Sequence, residues 1–535
     1  MNAVRLPWRD MEKKRSFQVG KRNLLLLLVM AVEILYHVWA NWKWGILHLD
    51  SDDSAEMILA ELLSRTGELV TDKWYYSTEL RVLNTQIVMS ALFRLSSDWR
   101  AVRAAGTGVL LCCLACSYLV MCKSLRLGDK LIWLAPLILW PFSEIYYDFV
   151  LYGLYYIPHL CIIFLTLGLS LNESEKFRRT RTVLLVILAF LAGCGGRRML
   201  AVCYLPLFGA SVVLCGLDLV RKREWDRKVS LRVLTGFVAC VLGCVVNDRF
   251  LKQKYSFWDA SKPQFVSPQP SKLIPVLKSV GSLLGIRTYM FRTVWGIPLL
   301  IVCAAFVFMA VRILLNWKSL PRESQTILLF FASSFGISAV VPVLTTTLWA
   351  ARYMLLPGIG FVFLIAVYFD RFPIRLNSSK VLCLVLILFE LVSGISQFKW
   401  FAQTNVHAVK DGAYRYVMDS GLEFGFGDWD ASDILTEMSN GRIHLCKILD
   451  FKEPGAWYWL MEKDFSKYAR GKPVFFIMDN AKMTFSASSG GVVGEWTRED
   501  LTYLDKGTVV YQDEYYTVYR YDSYEEFEEI TGKTF

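Results

Sequence analysis

Long apolar runs alternate with short polar breaks over roughly the first three quarters of the chain, and the runs are long enough to cross a bilayer. They fall near 23–42, 101–122, 131–145, 154–171, 182–196, 199–217, 231–247, 293–315, 325–344, 351–369 and 380–397, so about eleven transmembrane helices are expected. The fold class predicted is an α-helical polytopic membrane protein, its first run an uncleaved helix and not a signal peptide. The breaks differ in charge. With 1–22 inside, the inside loops "KSLRLGDK", "NESEKFRRTRT", "DLVRKREWDRK", "NWKSLPRESQ" and "DRFPIRLNSSK" are all basic, while the opposite turns "SEIYYDFVLYG" and "TTTLW" contain no Lys or Arg. That asymmetry predicts a multi-pass plasma-membrane protein with a cytoplasmic N-terminus.

Two outside segments are long. The first, 43–100, holds "SAEMILAELLSRT", whose Ala55, Ile58, Leu59, Leu62 and Leu63 keep helical spacing, and then "LNTQIVMSALFRL". Two helices lying along the membrane surface are predicted there. The second, 248–292, is basic, with Lys262 and Arg287 among eight Lys/Arg against Asp248 and Asp259. From about 400 the text turns mixed and polar, with β-rich runs such as "PVFFIMD" and "GTVVYQDEYYTVYRY". The predicted parts are therefore a basic cytoplasmic 1–22, a membrane part 23–399 and an extracytoplasmic α/β domain 400–535.

Composition sharpens this division. A hydrophobic content of 54% and a mean hydropathy of +0.37 exclude an ordinary soluble domain. The net charge of +11 hides an asymmetry: from Trp400 onward fourteen Lys/Arg face twenty-three Asp/Glu, so the tail carries −9 and the rest +20. The two parts face different surroundings, and no nucleic-acid partner is expected. Of thirteen cysteines only Cys446 lies outside the apolar runs, which gives no disulfide framework and suits a bacterial plasma membrane.

The chemistry concentrates in "HLDSDDSAEM" at 48–57, directly after the first run, where Asp50, Asp52, Asp53 and Glu56 crowd together. Asp53 and Glu56 fit an acidic capping box, which needs only one Asp. Two further carboxylates repel one another unless a cation, a metal or a substrate sits there.

At this point the chain resembles the GT-C superfamily of membrane glycosyltransferases, and within it the protein O-mannosyltransferase and aminoarabinose-transferase type. The resemblance rests on "SDDSAEM" after the first span, "WRAVRAAGTGVLL" opening the next, "GGRRMLAVCYLPLF", "ARYMLLPGIGF" and the tail's "GLEFGFGDWDASDILTEMSNGRI". The family pattern is Asp-Glu-Ala; here Asp52 and Asp53 take the acidic places and Ser54 stands for Ala, so either Asp can be the base. The resemblance implies transfer of a sugar from a polyprenyl-phosphate donor to an envelope glycan, glycolipid or protein acceptor.

Such a role assigns Asp50, Asp52 and Asp53 to the catalytic centre, one of them taking the acceptor's proton. A leaving phosphate needs cations, for which Arg352, Arg198 and Arg197 at predicted outer helix ends are candidates, with Lys262 and Arg287 of the basic segment. Snorkelling or pairing with an outside acid explains the same arginines. Trp74 and Tyr75 suit stacking on a sugar, although an aromatic membrane belt uses the same residues. Glu144 and Asp148 are the remaining acids near the expected cleft, placed to contact the acceptor or to pair with Arg197 or Arg198. Asp50 and Asp52, with His48, could also hold Mg²⁺ or Mn²⁺, hard cations that take carboxylate oxygens. The alternative class is a transporter or flippase of a lipid-linked sugar or envelope polymer, which would call for ionisable residues at mid-membrane depth and internal repeats; neither stands out, Glu33 and Glu390 being the main acids inside the spans.

Overall fold

The structure is a computed structural model and describes residues 21–80, 82–220, 227–257, 264–285, 296–347, 349–483, 485–489 and 492–535. Lys262 and Arg287 fall outside the described residues.

The apolar runs form helices, though fewer of them cross than the runs suggest. Among the described residues eight helices are long and apolar enough to span a bilayer, or nine if one bent pair counts as a span, in place of the eleven expected. The differences have local causes. Around 131–145 no spanning helix forms, because the chain tightens into a 3₁₀ turn, Ile132–Ile138, around Pro136. Proline lacks the N–H and crowds the preceding turn. Helix Ile157–Leu171 stands at 88° to the short Glu144–Tyr152 stretch, so that the two together make the bent pair. Helix Arg178–Cys194 has 17 residues and opens on the charged "RRTR".

The bundle starts with α1 (Lys21–Trp44), followed by α2 (Ser51–Thr66), strand β1 (Trp74–Tyr76), α3 (Gln86–Phe93) and α4 (Trp99–Ser124). α4 packs between α1 and Ile157–Leu171 along one continuous apolar core. Helices Arg178–Cys194 and Arg227–Val246 touch backbone to backbone, because Gly193 and Gly243 leave no side chain between them.

α2 and α3 are present as the helical spacing predicts, but α2 does not lie bare along a surface. Its Ala55, Leu59, Leu62 and Leu63 are buried with Trp74, Tyr76, Leu80 and Leu460. Its flanks pack on α3 and on helix Trp429–Met438 of the C-terminal region. Burial against protein, not lipid, explains its apolar stripe.

The C-terminal region carries the expected strands. After β2 (Ser256–Phe257) in the second long segment come β3 (Phe424–Gly427), β4 (His444–Lys447), β5 (Met461–Glu462), β6 (Val474–Asp479), the hairpin β7 (Phe485–Ser489) and β8 (Val492–Trp496), then β9 (Thr508–Gln512) and β10 (Tyr516–Tyr521). The main sheet runs β4-β3-β6-β10-β9, parallel across β4-β3-β6 and antiparallel across β6-β10-β9. A second sheet, β2-β1-β5, takes one strand from each long outer segment and one from the C-terminal region. Backbone pairing therefore holds these three distant stretches on the same face of the bundle.

Candidate active site at the end of the first span

The acid cluster sits where α1 gives way to α2, and each of its carboxylates has a different surrounding. Asp50, not Asp53, is the N-cap: its Oδ1 accepts from the Asp52 backbone N at 2.7 Å and from the Asp53 N at 3.3 Å. A carboxylate there meets unpaired N–H groups and the positive end of the helix dipole. The expected Asp53–Glu56 box does not form. Glu56 instead accepts from the Thr85 hydroxyl at 3.3 Å, tying α2 to the start of α3.

With the cap supplied by Asp50, Asp52 and Asp53 are free for other work. Asp52 projects to the accessible side, where its Oδ2 accepts from Arg352 Nη1 at 3.0 Å. Arg352 sits on the 3₁₀ turn Ala351–Met354 and lies 5.6 Å from the Phe149 ring. Asp53 points inward and is buried, with no hydrogen-bond partner at Oδ1. A methyl group on Gly153 would stand 2.6 and 2.9 Å from its two carboxylate oxygens, so glycine is what lets the carboxyl lie there. Burial, reinforced by the Asp50 charge, pushes the Asp53 carboxyl well above the usual carboxylate range, against the pull of Arg103. Asp53 therefore holds its proton more tightly than an exposed carboxyl does.

Behind the acids lies a dry layer of ion pairs. Arg103 of α4 donates Nε and Nη2 to Glu437 at 2.5 and 2.6 Å, and Nη2 also reaches the Asp53 backbone oxygen at 3.2 Å. Both side chains are only 5% exposed, so this pair is enclosed where Asp52–Arg352 is accessible. Lys447 of β4 is fully buried and pairs with Asp433 at 2.6 Å, donates to the Trp459 and Leu460 carbonyls, and covers the Trp429 ring at 4.4 Å. Burial pushes the Asp433 carboxyl up to about 7 against the pull of Lys447, and the same burial draws the Lys447 ammonium down. Asp433 and Glu437 share helix Trp429–Met438, capped by Asp428, whose Oδ1 accepts from Ala431 N at 2.9 Å. The Trp429 carbonyl accepts from Ser51 Oγ at 2.6 Å, so this helix also props the start of α2.

The remaining sequence candidates divide. Arg198 is brought close: it pairs with Glu79 at 3.2 Å and lies 5.6 Å from the Tyr156 ring, and Tyr156 also feels Arg352. A pocket lined by Glu79, Asn84, His159 and Arg198 opens beside it. Arg197 turns away, to an exposed pair with Asp248. Asp148 lies within electrostatic reach of Asp50, and Glu144 sits one helical turn before it; neither is the acid that pairs with Arg197 or Arg198.

Trp74 offers a sugar no surface, because it is wholly buried beneath α2. Tyr75 is half-buried, with Tyr458 at 4.7 Å and Lys463 over its ring at 5.1 Å. His48 stacks on Phe401 at 4.1 Å, and its Nε2 lies 2.8 Å from the Phe401 carbonyl, a packed residue and not a ligand. Mg²⁺ or Mn²⁺ does not fit the donors present: Asp50 is committed to backbone N–H groups and Asp52 to a guanidinium, and no cluster of three His, Cys, Asp or Glu suited to a metal occurs among the described residues.

Sequence reasoning missed Arg103, Gly153, Asp433, Glu437 and Lys447. Arg103 and Gly153 carried a signal, a charge inside an apolar run and a glycine five residues after Asp148. Asp433 and Glu437 stand inside the quoted "GLEFGFGDWDASDILTEMSNGRI" without being singled out there, and Lys447 lies in unremarkable polar text.

No family model matches the chain, and no curated protein does. Among solved structures it is similar to ArnT from Cupriavidus metallidurans bound to undecaprenyl phosphate, with TM-score 0.54 at 11% identity over 93% of this chain and 98% of that one. The apo state of the same protein gives TM-score 0.53 at 13% identity over 94% and 98%. The chain has the fold of these two structures. At such identity the likeness concerns the fold, and it extends over nearly the whole of both chains, C-terminal region included.

Proposed function

We propose that the protein is a membrane glycosyltransferase that moves a sugar from a polyprenyl-phosphate donor to an acceptor on the extracytoplasmic face. One observation carries the proposal: an accessible carboxylate, Asp52, and an arginine 300 residues away, Arg352, meet at 3.0 Å beside further acids at the mouth of the bundle. A base and a phosphate-binding cation are the two groups that inverting transfer needs.

In this mechanism Asp52 takes the proton of the acceptor's hydroxyl or amine as that atom bonds to the anomeric carbon. The carbon's bond to the phosphate oxygen breaks on the opposite side, its electron pair leaves with the phosphate, and Arg352 holds the charge with Arg198 nearby. One base suffices, because attack opposite the leaving group inverts the centre in a single step. Asp50 fixes the helix start, and the buried Asp53 lines the floor. The ArnT structure with undecaprenyl phosphate supports a polyprenyl phosphate as the ligand class here. The basic inside loops support a cytoplasmic N-terminus, with 400–535 outside as an α/β domain shaping the acceptor side.

The test is transfer by purified protein in proteoliposomes supplied with polyprenyl-phosphate sugars. Asp52→Asn should lower the rate by about 100-fold or more while the melting temperature stays put. Normal transfer by this variant would remove Asp52 from the mechanism. A transporter of lipid-linked sugar or envelope polymer is the second reading, favoured by Glu33 and Glu390, each buried in a span with one carboxylate oxygen unpartnered. It expects movement of labelled lipid across the bilayer without any transfer.

A further inference from the structure

Three ion pairs near the site differ in how firmly the arginine is held. Arg103 grips Glu437 through two nitrogens in a dry setting. Arg198 is paired with Glu79 at 3.2 Å. Arg352 touches Asp52 through Nη1, at a point where its side chain is 36% and that of Asp52 25% exposed. A guanidinium has five N–H donors in a rigid fork, and a single accessible contact leaves most of that fork for a better ligand. A phosphate can take two parallel bonds from it where this carboxylate takes one.

We infer that Asp52–Arg352 is a latch: the arginine that masks the base is the same group that the donor's phosphate takes, so binding the donor frees the base. The inference rests on the transferase proposal and adds an order of events to it. Once Arg352 turns to the phosphate, Asp52 loses its counter-ion while Asp50 stays two residues away. A carboxylate that exchanges a cation for a neighbouring anion becomes the stronger base. The acceptor's proton then has a place to go only when a sugar stands ready to receive the acceptor's oxygen or nitrogen. The bond that breaks is the one from the anomeric carbon to the phosphate already held by Arg352, so the same side chain times the base and stabilises the leaving group. By the same reasoning Asp52 competes with the donor for Arg352, and removing it should improve phosphate binding even as it abolishes transfer.

The experiment is a titration of the full-length protein in nanodiscs with undecaprenyl phosphate, comparing wild type with Asp52→Asn, Asp52→Ser, Asp148→Asn, Arg352→Gln and the Asp52→Asn/Arg352→Gln double variant. Asp52→Asn and Asp52→Ser should bind roughly three- to tenfold tighter than wild type, the scale of an accessible ion pair given up. Asp148→Asn alters another carboxyl of the same cluster without touching the latch and should gain less than about twofold. In the Arg352→Gln background the Asp52 substitution should gain nothing. Equal or weaker binding by both Asp52 variants would overturn the latch, as would an equal gain from Asp148→Asn or a gain that persists without Arg352. Absence of saturable binding in wild type and every variant would instead sink the polyprenyl-phosphate reading itself.

Discussion

At the mouth of the bundle Asp52 and Arg352 share one contact, partly open to solvent; beneath them Arg103 and Glu437 share two, almost fully enclosed. Both are arginine–carboxylate pairs joining distant parts of the chain, yet the physics differs. An accessible pair is weak because water and ions serve either partner nearly as well. A dry pair is costly to assemble and costlier to break, since removing one partner strands a charge. The lower pair therefore fixes where the C-terminal region sits on the bundle, and the upper pair is left able to change partners.

The largest way to break this comparison is at the lower pair. Glu437→Ala leaves the Arg103 guanidinium enclosed without its counter-ion and should cost about 3–5 kcal/mol, seen as a lower melting temperature in detergent and a poor yield of monodisperse protein. The apolar double variant Arg103→Met/Glu437→Leu should recover most of the loss, because no charge is then stranded. A single-variant cost under about 1 kcal/mol would mean that water reaches this pair as it reaches the upper one.

Gly153 tests the floor between the two layers. A methyl there meets the Asp148 carbonyl oxygen first and then both oxygens of Asp53, so Gly153→Ala should cost about 1–3 kcal/mol as the backbone and the carboxyl are forced apart. Transfer should suffer more than stability, because Asp53 adjoins Asp52 on the first turn of α2. Assays of rate and melting temperature on one preparation separate the two effects.

A smaller effect follows from the buried acids. Both Asp53 and Asp433 hold their protons more tightly when folded than when unfolded. Their contribution to stability is complete below the ordinary carboxylate value of 3.8 and is lost as pH rises through the folded value, about 7 for Asp433. The melting temperature should therefore fall between pH 5 and pH 8, and Asp53→Asn should make that decline shallower. A wild-type curve that is flat or rising over this window would contradict the burial assigned to Asp53.

How much of this was legible depended on which partner a residue has. The apolar runs gave the bundle, because a bilayer selects on composition alone, and β-rich text gave the strands after 400. The span count failed where geometry overrides composition, at Pro136 and at the 88° bend before Ile157. The acid cluster was visible as a local excess of like charge, and Arg352 as a charge at a helix end. The division of labour within the cluster was not visible, since it depends on which Asp reaches the unpaired N–H groups first: Asp50 takes the cap by being one residue before Ser51, and that choice turns Asp53 inward. Trp74 was misread because an aromatic beside polar residues looks the same whether it meets lipid, sugar or the underside of α2. The roles of Glu437 and Lys447 were silent because their partners are supplied by folding, even though Glu437 stands in a stretch that carries the family resemblance.

The smallest expected effect belongs to the Arg197–Asp248 pair, and it sharpens the comparison most directly. Arg197 and Arg198 are adjacent in sequence and both were candidates for the donor phosphate, yet Arg198 faces Glu79 and Tyr156 while Arg197, 77% exposed, faces Asp248. Exposure leaves the Arg197 pair little energy, so Arg197→Ala should change stability by no more than about 0.5 kcal/mol. Because the side chain points away from Arg352, lipid-phosphate affinity and transfer should stay within about twofold of wild type. Arg198→Ala, one residue on, should weaken undecaprenyl phosphate binding severalfold, since it removes the cation that shares Tyr156 with Arg352. If the two variants lose affinity equally, the site reads the summed charge of this corner and not the placement of individual guanidiniums, and the distinction between a fixed and an exchangeable arginine would have to be sought in Arg352 alone.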